Sequence, residues 1–503
     1  MEDTMLILDR AAHDAVGRYQ QDEVNGFTDE LLDRFLEQMH LTGGESVLDA
    51  MAGDGNLTLR LAEHCRRKGT TFPMVTVVEY SRVQYEFARA ALANLPVRVV
   101  WGDAVTMADR GTGEPLPDAS FDRVVIKSAN HEVPLDQQER LYESIFRVLK
   151  PGGLLVNLGF LFDDAAERDE LREVARVKDT LAEMHSAAAR RHFLTRDELY
   201  SRLARVGFLD VAAAEALEYR IHSSAVAKHY FARPGLEGAD AEFQATQARS
   251  MALRRHGRLR FDGTDSLMVL PGEITVARRP TWAESNAAAF RHCPYDFLRH
   301  LECHAQLLDK AVAWTPQGAA VLDLGSGPGL LAERLAGRVS RYRGVEISPE
   351  FVAKCRKLME ASPEFAFEQG DIGAAEYGRG LDAVTILNVL YLPGIDPVQV
   401  LKKAHAALRE GGRLIVSGPT STESYRKAEP FMRAQLERDG LLATCEPLFR
   451  AVGEANDRLL PGQGNYWSIE GMIELLKGLG FRAVPGGDTQ IYYGHAFLVV
   501  AEK

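Results

Sequence analysis

The side chains with the clearest chemical purpose are acids set among glycines, and they occur twice. The run Val47-Leu48-Asp49-Ala50-Met51-Ala52-Gly53-Asp54-Gly55 returns as Val321-Leu322-Asp323-Leu324-Gly325-Ser326-Gly327-Pro328-Gly329. Each copy is followed by an acid closing an apolar run, Val77-Val78-Glu79 and Gly344-Val345-Glu346. A Gly-Asp pair comes next, Gly102-Asp103 and Gly370-Asp371, and later a Gly-Gly turn, Gly152-Gly153 and Gly411-Gly412. The same order at a nearly constant shift is how two copies of one domain read in sequence. A glycine turn lets the backbone approach a ligand where a Cβ would block it. An ionised carboxylate is acceptor-only, so Glu79 or Glu346 can take both hydroxyls of a ribose, and Asp103 or Asp371 an exocyclic amine. Together these groups describe a site for an adenosine-bearing cofactor.

Other residues carry chemistry less specifically. His131 and Glu132, in Asn130-His131-Glu132, form an acid–base pair in which His131 is a base, or equally a loop imidazole capping the next helix. Tyr391, in Asn388-Val389-Leu390-Tyr391, is a positioning ring or ordinary packing. In His300-Leu301-Glu302-Cys303-His304 the two histidines share a helical face, a spacing open to zinc. No partner set with standard spacing accompanies them or the nearby His292-Cys293, so no metal site is expected. Tyr219, His222, Tyr466-Trp467 and Tyr492-Tyr493-Gly494-His495 line pockets or pack the core.

These residues need a scaffold, and the pattern supplies one. Short apolar runs at Ser46–Ala50, Val75–Glu79, Val97–Trp101, Phe121–Lys127 and Gly153–Leu158 read as strands. Helical spacing fills Asp9–His40, Leu57–His64, Tyr85–Ala93 and Gln137–Leu149. The alternation indicates βαβ units and a parallel sheet. The second copy repeats it, with helices from Glu284 to Ala313 and strands at Ala320–Leu324, Tyr342–Glu346, Phe365–Gln369, Ala383–Leu387 and Leu414–Ser417. A final strand pair is expected at each domain end, near Val211–Ile221 with Ser266–Ala277, and at Arg482–Ile491 with Ala496–Val500. The boundary is placed at 280/281, beside Arg279-Pro280. In an open sheet of this kind ligands bind beyond the carboxyl ends of the strands, where all the repeated residues fall.

At 503 residues the chain suits two domains of roughly 220–280 residues. A net charge of −12 argues against nucleic acid or an anionic membrane as the main partner. Five cysteines without a CxxC pair read as reduced thiols. The acidic start lacks a secretory pattern and no apolar run spans a bilayer, so a cytoplasmic location is expected.

At the repeated motifs the chain resembles the class I S-adenosylmethionine-dependent methyltransferases. They share a DxGxGxG-like first motif, an acid ending strand two, an Asp after strand three and a PGG-like turn before strand five. The resemblance implies an α/β chain of two tandem doubly wound Rossmann-like domains, each a seven-stranded sheet with a terminal antiparallel hairpin and a helical lid. It places 1–280 in the N-terminal domain, with a helical insert at about 228–262, and 281–503 in the C-terminal one, with a lid at about 420–466. It implies that Glu79 and Glu346 hold the ribose, and Asp103 and Asp371 the adenine amine. Asp49, Gly53 and Gly55 line the methionine end, as do Asp323, Gly325 and Gly327. Ala52, Tyr80, Ala104 and Lys127, with Ile347, Ile372 and Asn388, complete the cofactor set of two S-adenosylmethionine sites. His131, Glu132 and Tyr391 face the methyl group and are the catalytic candidates. Methyl transfer from a sulfonium needs mainly positioning, and a hydroxyl acceptor also needs a base. The expected acceptor is a small molecule methylated on O or N, with the oligomeric state open, a homodimer included. Met51 stands where the motif has its first glycine. One catalytic domain beside a degenerate one is therefore an alternative. A nicotinamide oxidoreductase is another, because Gly327-Pro328-Gly329-Leu330-Leu331-Ala332 matches GxGxxA.

Overall fold

The computed structural model describes residues 21–290, 295–459 and 464–503. Residues 9–20 of the expected first helix and the pair His292-Cys293 lie outside the described residues. The chain forms two compact units, Met1–Thr281 and Trp282–Lys503.

In the first unit the strands are β1 (Ser46–Ala50), β2 (Met74–Glu79), β3 (Val97–Asp103), β4 (Ala108–Asp109), β5 (Phe121–Lys127), β6 (Leu149–Phe162), β7 (Leu194–Thr195), β8 (Leu209–His222), β9 (Leu259–Asp262) and β10 (Asp265–Arg278). They form a ten-stranded sheet of order β4-β3-β2-β1-β5-β6-β10-β8, with β7 beside β6 and β9 beside β10. Strands β3 to β6 of that order are parallel, and β10 returns antiparallel to both β6 and β8. The second unit has β11 (Ala319–Leu324), β12 (Val339–Glu346), β13 (Phe365–Gln369), β14 (Leu381–Leu387), β15 (Leu408–Pro419), β16 (Arg482–Ile491) and β17 (Ala496–Glu502). Its order, β13-β12-β11-β14-β15-β17-β16, repeats the first without the three short strands.

The sequence explains the shared plan. All five residues of β1 are buried, as a central parallel strand covered on both faces requires. Leu48, Ala50, Val124 and Ile126 pack on one face of the first sheet with Leu141 and Ile145 of the helix Gln138–Val148. Leu322, Val384, Leu401 and Leu414 do the same in the second. Ser81 caps the helix after β2 and Ser348 the helix after β12, each hydroxyl accepting from a backbone N–H at 3.3 Å. Gly55 and Gly329 take left-handed φ of 82° and 87° where the first crossover helix begins. A Cβ on either would come within 3.0 Å of the next helix, at Leu92 Cδ1 or Cys355 Sγ.

Three details depart from expectation. The first sheet gains three strands of two to four residues around its seven-stranded core. The insert at 228–262 ends in β9 rather than being wholly helical, because Leu259–Asp262 turns back on β10. Finally, β6 runs through the Gly-Gly turn, from Leu149 to Phe162.

Candidate active site

In both units the first-motif acid and glycines and the acids ending strands two and three gather about the switch point between the first and fourth motif strands, β1 and β5 or β11 and β14. Gly152-Gly153 and Gly411-Gly412, expected there too, lie at the other end of the sheet beside Asp122 and Leu381, because they precede strand five. Glu79 accepts from Gly53 N at 2.7 Å on one oxygen and from Ser81 N at 2.7 Å on the other. Glu346 repeats this with Gly327 N at 2.8 Å and Ser348 N at 2.9 Å. Each oxygen keeps a lone pair for a ribose hydroxyl. Burial pushes Glu79 up to about 8, reinforced by the charges of Glu132 and Asp49, and it raises Glu346 as well. Asp103 and Asp371 each accept a backbone N–H two residues on, from Val105 at 2.9 Å and Gly373 at 2.7 Å. A Cβ on Gly53 or Gly327 would find nothing within 4 Å, so both turns face open space.

The strand-one acids are held differently. Asp323 accepts from Thr385 Oγ1 at 2.6 Å and from the Tyr342 hydroxyl. Asp49 accepts from Thr58 Oγ1 at 2.8 Å, and burial lifts it to about 6.

The second unit opens a cavity of about 300 Å³ on this site. Asp323, Gly325, Gly327, Glu346, Ile347, Asp371, Ile372 and Asn388 all line it, as does Tyr391. It continues under aromatic rings that include Tyr295, Phe351, Tyr425 and Tyr466. Ser326 Oγ, Asn286 Oδ1 and Tyr466 OH are buried along it without a hydrogen-bond partner among the described residues. Polar atoms left over beside open glycine turns and a buried carboxyl group whose oxygens keep lone pairs fit an adenosine cofactor.

The first unit differs. Its described cavity, about 80 Å³, is lined by Ser128, His131, Glu132, Phe160, Lys178 and Arg191 among others, but by none of Asp49, Gly53, Glu79 or Asp103. His131 is buried, stacked on Phe193 at 5.2 Å and edge-on to Phe160 at 5.3 Å, with Nδ1 unpartnered. Burial, with the charges of Arg191 and Lys178, holds it well below the usual imidazole range. Glu132 lies 3.9 Å from Arg191, whose Nε donates to the fully buried Asp179 at 2.7 Å.

Several expected cofactor groups in the first unit are otherwise engaged. Lys127 Nζ donates to Asp22 at 2.5 Å, and Asp22 also accepts from Asn56 Nδ2 at 2.7 Å. Its counterpart at the end of β14, Leu387, lines the large cavity instead. Tyr80 is half exposed beneath the Arg110 guanidinium, 4.2 Å from its ring. Ala104 is buried and Ala52 half-buried.

Met51 takes φ 63°, the left-handed region Gly325 occupies at 78°. A Cβ on Gly325 would meet Val389 Cγ2 at 2.3 Å. Ser128 at φ 53° and Asn388 at φ 55° each follow the fourth motif strand, so the residue matching Val389 is Ala129. Glycine with valine in one copy is thus methionine with alanine in the other.

That match also moves the first unit's counterpart of Asn388 to Ser128, which sequence reasoning missed. A tyrosine approaches each, Tyr219 OH 2.7 Å from Ser128 Oγ and Tyr492 OH 3.5 Å from Asn388 Nδ2. The zinc spacing dissolves: His300 ends a 3₁₀ turn and is exposed, while His304 lies in the helix Glu302–Trp314 and is buried. Among the described residues no group of three or more His, Cys, Asp or Glu is placed to hold a metal. No described helix is long and apolar enough to cross a membrane.

Fold order, switch-point acids and glycine turns define a duplicated doubly wound domain. A family model described as a methyltransferase domain matches residues 47–153 and again 321–412. Each unit thus carries one copy of a methyltransferase domain.

It is 32% identical over 106 residues to a ubiquinone biosynthesis O-methyltransferase of Xanthomonas axonopodis pv. citri, covering 20% of this chain and 44% of that protein. It is also 32% identical over 158 residues to the 27-O-demethylrifamycin SV methyltransferase of Amycolatopsis mediterranei, covering 30% and 53%. The chain thus spans about half the length of these curated relatives. The YcgJ protein of Bacillus subtilis aligns in structure at 14% identity with a TM-score of 0.41, over 50% of this chain and 97% of that one.

Proposed function

We propose that the chain transfers the methyl group of S-adenosylmethionine to an oxygen or nitrogen of a small molecule, and that the second unit is the transferring centre. One observation carries this reading: Asp323, Gly327, Glu346 and Asp371 open on the same cavity as the aromatic wall of Tyr391 and Tyr466. Glu346 would hold the ribose and Asp371 the adenine amine. Gly325 and Gly327 would let the backbone meet the methionine end, with Asp323 beneath them. The cofactor supplies an activated methyl, so the residues here mainly bind, orient and exclude water. The small-molecule acceptor agrees with the names of the two O-methylating relatives, which concern compounds rather than macromolecules.

In the first unit Asp49, Gly53, Glu79 and Asp103 keep the same frame, and His131 with Glu132 would face an acceptor. A division of labour, with the first copy binding cofactor weakly or not at all, is favoured by one observation. Met51 stands in the first-motif turn where the second copy has Gly325, so a long side chain occupies the turn at the methionine end of the frame.

Titration of the full chain with S-adenosylhomocysteine tests both readings. We expect Glu346→Ala to abolish the tight site and Glu79→Ala to leave it intact. Tight NADH binding with no response to S-adenosylhomocysteine would overturn the assignment, and loss of the tight site only in Glu79→Ala would exchange the roles of the two copies.

A further inference from the structure

The second unit contains a buried imidazole–phenol pair for which the cofactor frame has no use. His304, in the helix Glu302–Trp314, is 8% exposed and lines the large cavity. Its Nδ1 lies 2.5 Å from Tyr492 OH, which also accepts from Asn388 Nδ2 at 3.5 Å. Asn388 in turn donates its backbone N–H to Ser417 O at 3.0 Å and follows directly on β14. The chain of polar atoms therefore runs from the switch point at Asn388 to the helix Glu302–Trp314 on the cavity wall.

The backbone pays attention to this placement. Tyr492 and Tyr493 adopt φ of 48° and 58° in succession, a conformation non-glycine residues hold only when their surroundings impose it. Tyr493 stacks on Phe431 at 5.0 Å, which anchors the outer ring and leaves Tyr492 turned to the cavity.

The same wall carries no Lys or Arg among its described residues, so it has no fixed cation to pair with an anionic acceptor. Its rings favour an apolar, ring-bearing body. We propose that this wall receives an uncharged hydroxyl-bearing acceptor, and that Tyr492 takes the acceptor's proton as its own passes to His304. The inference rests on the reading that the second unit binds S-adenosylmethionine.

The step balances. The acceptor oxygen forms a bond to the methyl carbon, and the sulfur–methyl bond breaks with its electron pair returning to sulfur. The acceptor proton goes to Tyr492 Oη, and the Tyr492 proton goes to His304 Nδ1. The sulfonium charge disappears as the imidazolium charge appears, so the cavity keeps its net charge; the imidazolium then returns its proton to water.

Burial and the nearby Arg334 hold His304 down to about 4, so its ring is neutral and Nδ1 can accept the Tyr492 hydrogen bond, while the imidazolium is a transient that sheds its proton at once. The other titratable groups about the pair are Cys303 and Tyr391, with His495, Asp323, Glu346 and Asp371 lining the same cavity.

The test uses the full chain, S-adenosylmethionine, and a set of uncharged phenols as probe acceptors, catechol and 1-naphthol among them. The unaltered chain should methylate a phenol at a rate nearly flat from pH 6 to 8. Tyr492→Phe and His304→Asn should keep the S-adenosylhomocysteine affinity within about twofold while slowing transfer on the order of 10²-fold at pH 6.5. Their rates should then climb about tenfold per pH unit toward the phenol's own pKa, a profile that a merely structural defect does not produce. Unchanged rates and pH profiles in both variants would overturn the relay. Failure of the unaltered chain to methylate any phenol while it binds S-adenosylhomocysteine would overturn the acceptor class, and failure to bind at all would overturn the cofactor reading beneath it.

Discussion

Gly325 and Glu79 show how one side chain decides a site. At Gly325 a Cβ would sit 2.3 Å from Val389 Cγ2, with φ in the left-handed region. Gly325→Ala should therefore lower stability by about 1–3 kcal/mol, as overpacking does, and weaken S-adenosylhomocysteine binding. Adding Val389→Ala should recover part of both, which chemical denaturation and calorimetric titration of the two variants will read. Glu79 gives a pH signature. Its carboxyl titrates at about 8 in the fold, above its ordinary range, so the folded first unit keeps a proton that the unfolded chain has released. That contribution is fully present at low pH and is lost as pH rises through 8. The first unit should become less stable between pH 6.5 and 8, and Glu79→Gln should flatten the decline in a urea-midpoint series. A decline that Glu79→Gln leaves unchanged would remove Glu79 as its source.

At the scale of elements, the acids and glycines were legible because their roles depend on where strands end. A strand end and its following turn are local in sequence. The helix Gln21–Asn25 was legible only as an amphipathic stretch, yet it carries Asp22 into a network with Lys127, Asn56 and Arg60. No spacing rule joins Asp22 to Lys127, because they meet only through the tertiary fold. The same is true of His304 and Tyr492, which read separately as a metal spacing and a pocket ring. Both side chains of the Asp22–Lys127 pair are nearly buried, at 11% and 12% exposure. Asp22→Ala should therefore cost about 3–5 kcal/mol by leaving the Lys127 charge uncompensated. Asp22→Leu with Lys127→Met should cost much less, and a double-mutant cycle in urea measures the difference.

For the whole molecule, two compact units predict two calorimetric transitions. S-adenosylhomocysteine at about 100 times its dissociation constant should raise the stability of the binding unit by about 2.7 kcal/mol. Only one transition should move, and Glu346→Ala should cancel the shift. Equal movement of both transitions would instead mean two working cofactor sites. The repeat that made the architecture readable also conceals how the copies diverged, since Met51 looks like a simple loss until Ala129 is set beside it. The two exchanges are coupled sterically. Starting from glycine with valine, trimming the valine to alanine leaves only a small gap, whereas introducing methionine first meets an overlap. Taken one residue at a time, only the route through glycine with alanine avoids that overlap in either direction.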